Sequence, residues 1–201
     1  TRLMFIAVFL LVVSLAATAR AQAQTEFPVD PRRTFFRTYS DSPVYDSIPL
    51  ELAAMDIVAG DWLRLRTLGD FDLGAAFDDT YTRMHAVFSS SSTLLAQDQQ
   101  YRVPGAIDAG VDVVSASTYH GSRPTDFPED FEVTDVVVQV PAGALYLFVC
   151  GRDTLYPDNS DPDGDFRIGI TKLRLVGLSN RDARSPLVIA LGDRFAYKTW
   201  G

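Results

Sequence analysis

Between Asp153 and Asp165 the chain reads Asp153-Thr154-Leu155-Tyr156-Pro157-Asp158-Asn159-Ser160-Asp161-Pro162-Asp163-Gly164-Asp165, with five carboxylates and one carboxamide in thirteen residues and no Lys or Arg. So many acids in one short loop repel one another unless water, salt or a hard cation screens them. Closely spaced oxygen ligands with Gly at a sharp turn suit calcium. Asn159, Asp161 and Asp163 match positions 1, 3 and 5 of an EF-hand loop, and Gly164 matches position 6. Position 12, normally a bidentate Glu, is Ile170. The sequence therefore predicts a calcium loop outside the EF-hand family, with ligands Asp153, Asp158, Asn159, Asp161, Asp163 and Asp165. The competing reading is a solvated acidic turn, since Asp, Asn, Pro and Gly are ordinary turn residues.

Other chemistry is sparse. Gly69-Asp70-Phe71-Asp72 forms a second acidic turn. His85 and His120 are the two histidines; His85 alternates with Met84 and Ala86, which predicts an outward-facing side chain. Asp126, Glu129 and Asp130 offer carboxylates of the kind a glycosidase needs, but nothing sets a distance between any two of them. Ser89 to Ser92 carries no nucleophile elbow. With no catalytic motif, the chain is not read as an enzyme. Cys150, the single cysteine, excludes an intrachain disulfide; within an apolar run it is expected to be a buried, inert thiol.

The elements that must hold the acidic loop read as strands. Leu145 to Cys150, before it, is apolar on both faces, as in a central strand. Phe166, Ile168 and Ile170, after it, share one face; Leu173 and Leu175 fall out of phase, which predicts a bulge near Thr171-Lys172. Leu63 and Leu65 face inward between Arg64 and Arg66, and Val136, Val138 and Val140 share a face with Thr134. Ile48, Leu50, Leu52 and Ala54 alternate as another strand would. Gln97 to Asp130 is loop-rich. No helical period is sustained beyond the first residues. Short strands punctuated by turns predict an all-β fold, an antiparallel β-sandwich of jelly-roll or galactose-binding-like type with long loops.

Residues 1–23 run from Arg2 through an apolar core to Ala19-Arg20-Ala21-Gln22-Ala23, the pattern of a secretory signal peptide cleaved after Ala21 or Ala23. Residues 24–47, rich in Pro, Asp, Arg and Ser, read as a linker or a loosely docked arm pinned by Phe35, Phe36 and Tyr39. Residues 48–201 are left as the sandwich domain. The net charge of −8 becomes −10 without the leading segment, which has two arginines and no acid. That balance argues against nucleic acid as a partner. The expectation is a secreted, extracellular or periplasmic protein with no membrane span after signal removal.

A strand followed by Asp153, Tyr156, Asp158 and Asn159, then another strand, resembles the calcium-dependent, galactose-binding bacterial lectins of the PA-I type. Val58-Ala59-Gly60-Asp61-Trp62-Leu63 resembles the opening of that fold, and the outline is also similar to the β-sandwich appended to secreted bacterial peptidases. The resemblance spans about residues 48 to 175 and is specific only in its last stretch. It implies that Asp153 and the Asp158–Asn159 pair hold calcium and that the ion meets sugar hydroxyls. Three departures stand against it: Asp158 replaces an Asn, Asp161-Pro162-Asp163-Gly164-Asp165 is inserted, and no early-loop backbone ligand is evident. The expected function is a calcium-binding module that binds carbohydrate, with Tyr156, Trp62 and Tyr119 as stacking platforms. The alternative is a structural or adhesive domain in which calcium only stabilises the fold, with an extracellular ligand or self-association as its partner.

Overall fold

The computed structural model describes residues 23–38, 45–74, 80–111, 119–120, 123–125, 127–173, 188–191 and 194–197. The segment read as a signal peptide, all but its last residue, lies outside them, as do Tyr39, Asp126 and Leu175. The strands in chain order are β1 (Thr25–Pro28), β2 (Arg33–Thr34), β3 (Tyr45–Asp46), β4 (Leu50–Glu51), β5 (Trp62–Leu68) and β6 (Met84–Ser89). Then follow β7 (Ala106–Ile107), β8 (Tyr119–His120), β9 (Arg123–Pro124), β10 (Phe131–Val133), β11 (Asp135–Gln139) and β12 (Tyr146–Gly151). β13 (Arg167–Leu173), β14 (Val188–Leu191) and β15 (Arg194–Tyr197) complete the set. Helix among the described residues is limited to two short 3-10 turns, Ala53–Met55 and Tyr156–Asp158. No helix among them is long and apolar enough to cross a membrane.

Two antiparallel sheets make a sandwich-like arrangement. One has the order β1-β13-β5-β11; the other runs β10-β6-β12-β4, with β7 also on β6. Period-two alternation sends Leu63, Leu65, Val136, Val138, Ile168 and Ile170 inward from the first sheet. Met84, Ala86, Phe88, Leu147 and Val149 meet them from the second. The chain crosses between sheets at the exposed Thr134, where β10 ends and β11 begins, and the Thr67 hydroxyl donates to the Val133 carbonyl at that corner.

β6 and β12 are buried on both faces because a second apolar cluster covers their outer side: Phe35, Phe36, Val87, Val103, Phe127, Phe148, Cys150 and Tyr156. The arm over residues 24–38 is thus no loose linker. β1 pairs with β13 from Thr25↔Ile170 to Pro28↔Arg167, and Phe35 and Phe36 are wholly buried. Arg102 fastens it from below, its enclosed guanidinium donating to the carbonyls of Thr34, Phe36 and Leu95 and to the Asp46 carboxylate.

Three local expectations are corrected. β13 pairs with β5 in unbroken register from Arg167↔Leu68 to Leu173↔Trp62, so there is no bulge at Thr171-Lys172; Leu173 is buried on the other face, across from Trp62. The strand expected from Ile48 to Ala54 shrinks to β4, since Met55 N–H bonds back to Leu52 and Asp56 adopts a left-handed conformation that turns the chain. His85 faces away from the inter-sheet core but is fully buried, because Phe36 packs edge-on against its ring at 5.2 Å.

Candidate metal centre

The acidic loop spans the connection from β12 to β13. Its first half forms the 3-10 turn Tyr156–Asp158, with Pro157 supplying a preset φ. The second half is wrapped around Asp161. That carboxylate accepts from Gly164 N (3.0 Å), Asp165 N (3.2 Å) and Phe166 N (3.3 Å). Gly164 takes φ +73, a conformation that suits Gly and closes the turn. Oxygen atoms of Asp161, Asp163 and Asp165 then lie within 4.8 Å of one another.

The Gly69–Asp72 turn lies alongside. Asp70 N donates to Asp165 Oδ1 (2.9 Å), Asp72 N to the Ser160 carbonyl (2.8 Å), and Ser160 Oγ to Asp72 Oδ2 (3.2 Å). The reason is period two again. Phe71, between Asp70 and Asp72, is wholly buried and touches Phe166, next to Asp165, at 4.6 Å between ring centroids. Two apolar anchors thus bring two acidic turns edge to edge. Gly69 permits the contact: a Cβ there would lie 2.0 Å from Asp165 Oδ1 and 2.2 Å from its carbonyl oxygen.

The charge consequence is direct. Burial and the neighbouring charges of Asp165, Asp163, Asp161 and Asp72 push the Asp70 carboxyl above the usual carboxylate range. Two unit charges about 4.8 Å apart repel by roughly 1–4 kcal/mol, toward the low end where water screens them. Asp163 and Asp165 are exposed and Asp161 is half-buried, so screening is substantial. Calcium binds oxygen at about 2.4 Å, so two of its ligands can lie at most about 4.8 Å apart. One oxygen from each of the three aspartates meets that limit, the least that a shared cation requires.

The six expected ligands fall into two sets. Asp161, Asp163 and Asp165 come together, while the Asn159 side chain and the Asp158 charge both act on the Asp153 carboxyl. Asp153 Oδ1 accepts from Thr154 N (2.6 Å), and burial raises this carboxyl above its ordinary range. Asp158 lies against Gly74. Asn159 is 3% exposed, and its amide nitrogen donates to the Pro31 carbonyl (3.1 Å). Its Oδ1, the atom that position 1 of the loop would offer, is buried and without a hydrogen-bond partner. Asp70 stands beside the group of three aspartates, joined to it by its backbone N–H and feeling the charges of all three; the turn Gly69-Asp70-Phe71-Asp72 was visible in the sequence as acidic.

The stacking platforms are not gathered around this loop. Tyr156 is 1% exposed, with its hydroxyl accepting from Asp153 N (3.4 Å), so its ring face is closed to a sugar. Trp62 is half-buried at the far end of β5, about 20 Å along the strand from the acidic turns. Tyr119 lies in β8, paired with Pro124, and is described for its backbone alone.

The histidines take structural places where they are described. His85 Nδ1 and Asp130 Oδ2 are 2.8 Å apart, both side chains closed to solvent, and Asp130 Oδ1 accepts from Phe127 N (2.9 Å). This pair fixes the Phe127–Asp130 turn onto β6. Arg83 holds Glu132 in a two-bond ion pair. Cys150 is buried, and burial pushes its thiol up to about 12, which leaves almost no thiolate at neutral pH.

Comparison of the chain with protein-family models, curated proteins and solved structures returned no match. The functional reading therefore rests on the geometry of the site.

Proposed function

We propose that this chain is a secreted calcium-binding β-sandwich module whose cation ties the connection between β12 and β13 to the Gly69–Asp72 turn. The observation that carries the reading is the convergence of Asp161, Asp163 and Asp165 beside Asp70. Three carboxylates and nearby carbonyls supply hard oxygen donors, with water completing the six to eight positions that calcium takes. The cation removes the mutual repulsion of the acids and cross-links two loops in a chain that has one cysteine. This favours the structural form of the function, in which calcium stiffens a module that meets an extracellular partner.

A second reading has its own support. The exposure of Asp163 and Asp165 would leave the outer positions of a bound cation open to sugar hydroxyls. Tyr156 and Trp62 do not assist, so coordination and hydrogen bonding carry that contact.

Calorimetry of the mature protein with calcium, together with thermal melts in chelator, tests the first reading. At free calcium about a hundred times the dissociation constant the fold gains roughly 2.7 kcal/mol, a rise of about 5–10 °C in Tm. No heat of binding at millimolar calcium, or melts that ignore chelator, would refute it. A glycan array run with and without chelator tests the second; calcium-dependent sugar binding is the expected result if it holds.

A further inference from the structure

The cation loop is gripped by the N-terminal arm at both ends. Just before Asp161, the buried Asn159 donates its amide to the Pro31 carbonyl (3.1 Å). Just after Asp165, the Phe166 carbonyl accepts from Val29 N (3.0 Å). Tyr156, three residues ahead of Asn159, belongs to the apolar cluster that receives Phe35 and Phe36. The same stretch of arm therefore touches the loop on one side and roofs the outer face of β6 and β12 on the other.

Cys150 reports on that roof. Its side chain is wholly buried in the cluster that holds Phe35, Phe36 and Tyr156, so the seated arm closes it off from solvent. Without a cation, Asp161, Asp163 and Asp165 repel, and the loop gains freedom where Asn159 and Phe166 must hold their positions. With a cation, both anchor points are fixed before the arm docks, and the cost of ordering them is already met.

We propose that cation occupancy at Asp161, Asp163 and Asp165 seats the N-terminal arm, which makes the loop a calcium-dependent latch over the outer face of β6 and β12. The latch rests on the calcium reading above and adds a regulated surface to it. Linkage is reciprocal: whatever helps the arm to dock tightens calcium binding by the same factor. Opening exposes Val87, Phe148, Cys150 and Phe127 together, an apolar face that calcium withdrawal would offer to water or to a partner.

The test measures the labelling rate of Cys150 in the mature protein with a neutral disulfide reagent, in calcium and in chelator. Calorimetry is run in parallel, and the global unfolding rate is measured from denaturant jumps. Labelling is expected to rise about tenfold or more in chelator, well above the rate that global unfolding permits. Asp163→Asn, an exposed change of charge alone, should label at the chelator rate even in calcium. Calcium binding by calorimetry with labelling unchanged would overturn the latch and leave the metal site standing. Labelling that proceeds only through global unfolding would overturn it as well. Absence of calcium binding would bring down the underlying reading, and the latch with it.

Discussion

Replacing Arg102 with Leu keeps an apolar stem in the enclosed site and deletes the guanidinium. Three carbonyls lose a charged donor: Thr34 (3.2 Å), Phe36 (3.0 Å) and Leu95 (3.1 Å). Thr34 O still receives Ser47 N (3.1 Å), so two carbonyls bear most of the loss. A buried acceptor stripped of its partner costs about 1–3 kcal/mol, which gives about 2–6 kcal/mol for the pair. The Asp46 carboxylate adds little, because its side chain is 55% exposed and water replaces the lost partner. In a chain of this size each kcal/mol moves Tm by about 2–4 °C, so Arg102→Leu should melt roughly 5–20 °C lower. Arg102→Lys should recover only part of this, since one ammonium cannot reproduce the fork. Urea titration with an unchanged m-value is the measurement. A loss below about 1 kcal/mol would refute the argument that this side chain fastens the arm.

Gly69→Ala places a methyl on the Asp165 backbone and demands φ +65 of an alanine. The two acidic turns must part, so calcium affinity measured by calorimetry should fall by at least about tenfold and Tm should drop with it. The Asp153 carboxyl is raised by burial, so the folded state binds its proton more tightly than the unfolded state does. Stability from this group is therefore highest below the ordinary carboxylate range and falls as pH rises through the raised value. Asp153→Asn, with its Oδ1 still able to accept from Thr154, should flatten that part of the Tm–pH curve measured in chelator. Asp61 and Asp135 behave oppositely. Hydrogen bonds from Lys172 and Arg64 lower their carboxyls, so their contribution is lost as pH falls below the ordinary range, and Asp135→Asn should reduce the acid limb.

Much of the sandwich was legible in the sequence because one face of each strand meets a single core. Leu63, Leu65, Val136, Val138, Ile168 and Ile170 alternate with polar neighbours and sit where alternation puts them. The acidic loop was visible in its composition. Alternation failed where a second layer covers the other face: His85 was expected outside, yet Phe36 closes over it. Proline and charge made residues 24–38 resemble a linker, while the sheet position of Thr25–Pro28 depends on β13, far away in sequence. Spacing in sequence does not give direction: Asp161, Asp163 and Asp165 form one group, while the Asn159 amide nitrogen is held by the Pro31 carbonyl. Asp70 came to lie beside the loop through Phe71 packing on Phe166, a contact between distant segments that no local pattern encodes.

The pairing of β1 with β13 has a consequence for how the chain is made. Thr25–Pro28 leaves the ribosome well before its partner Arg167–Ile170, which follows most of the described chain. Until then the first sheet lacks an edge, and closing so long a loop is entropically costly and slow. The arm cannot take its final seat until Arg167–Ile170 has been made, so this edge of the first sheet and the roof over β6 and β12 close last.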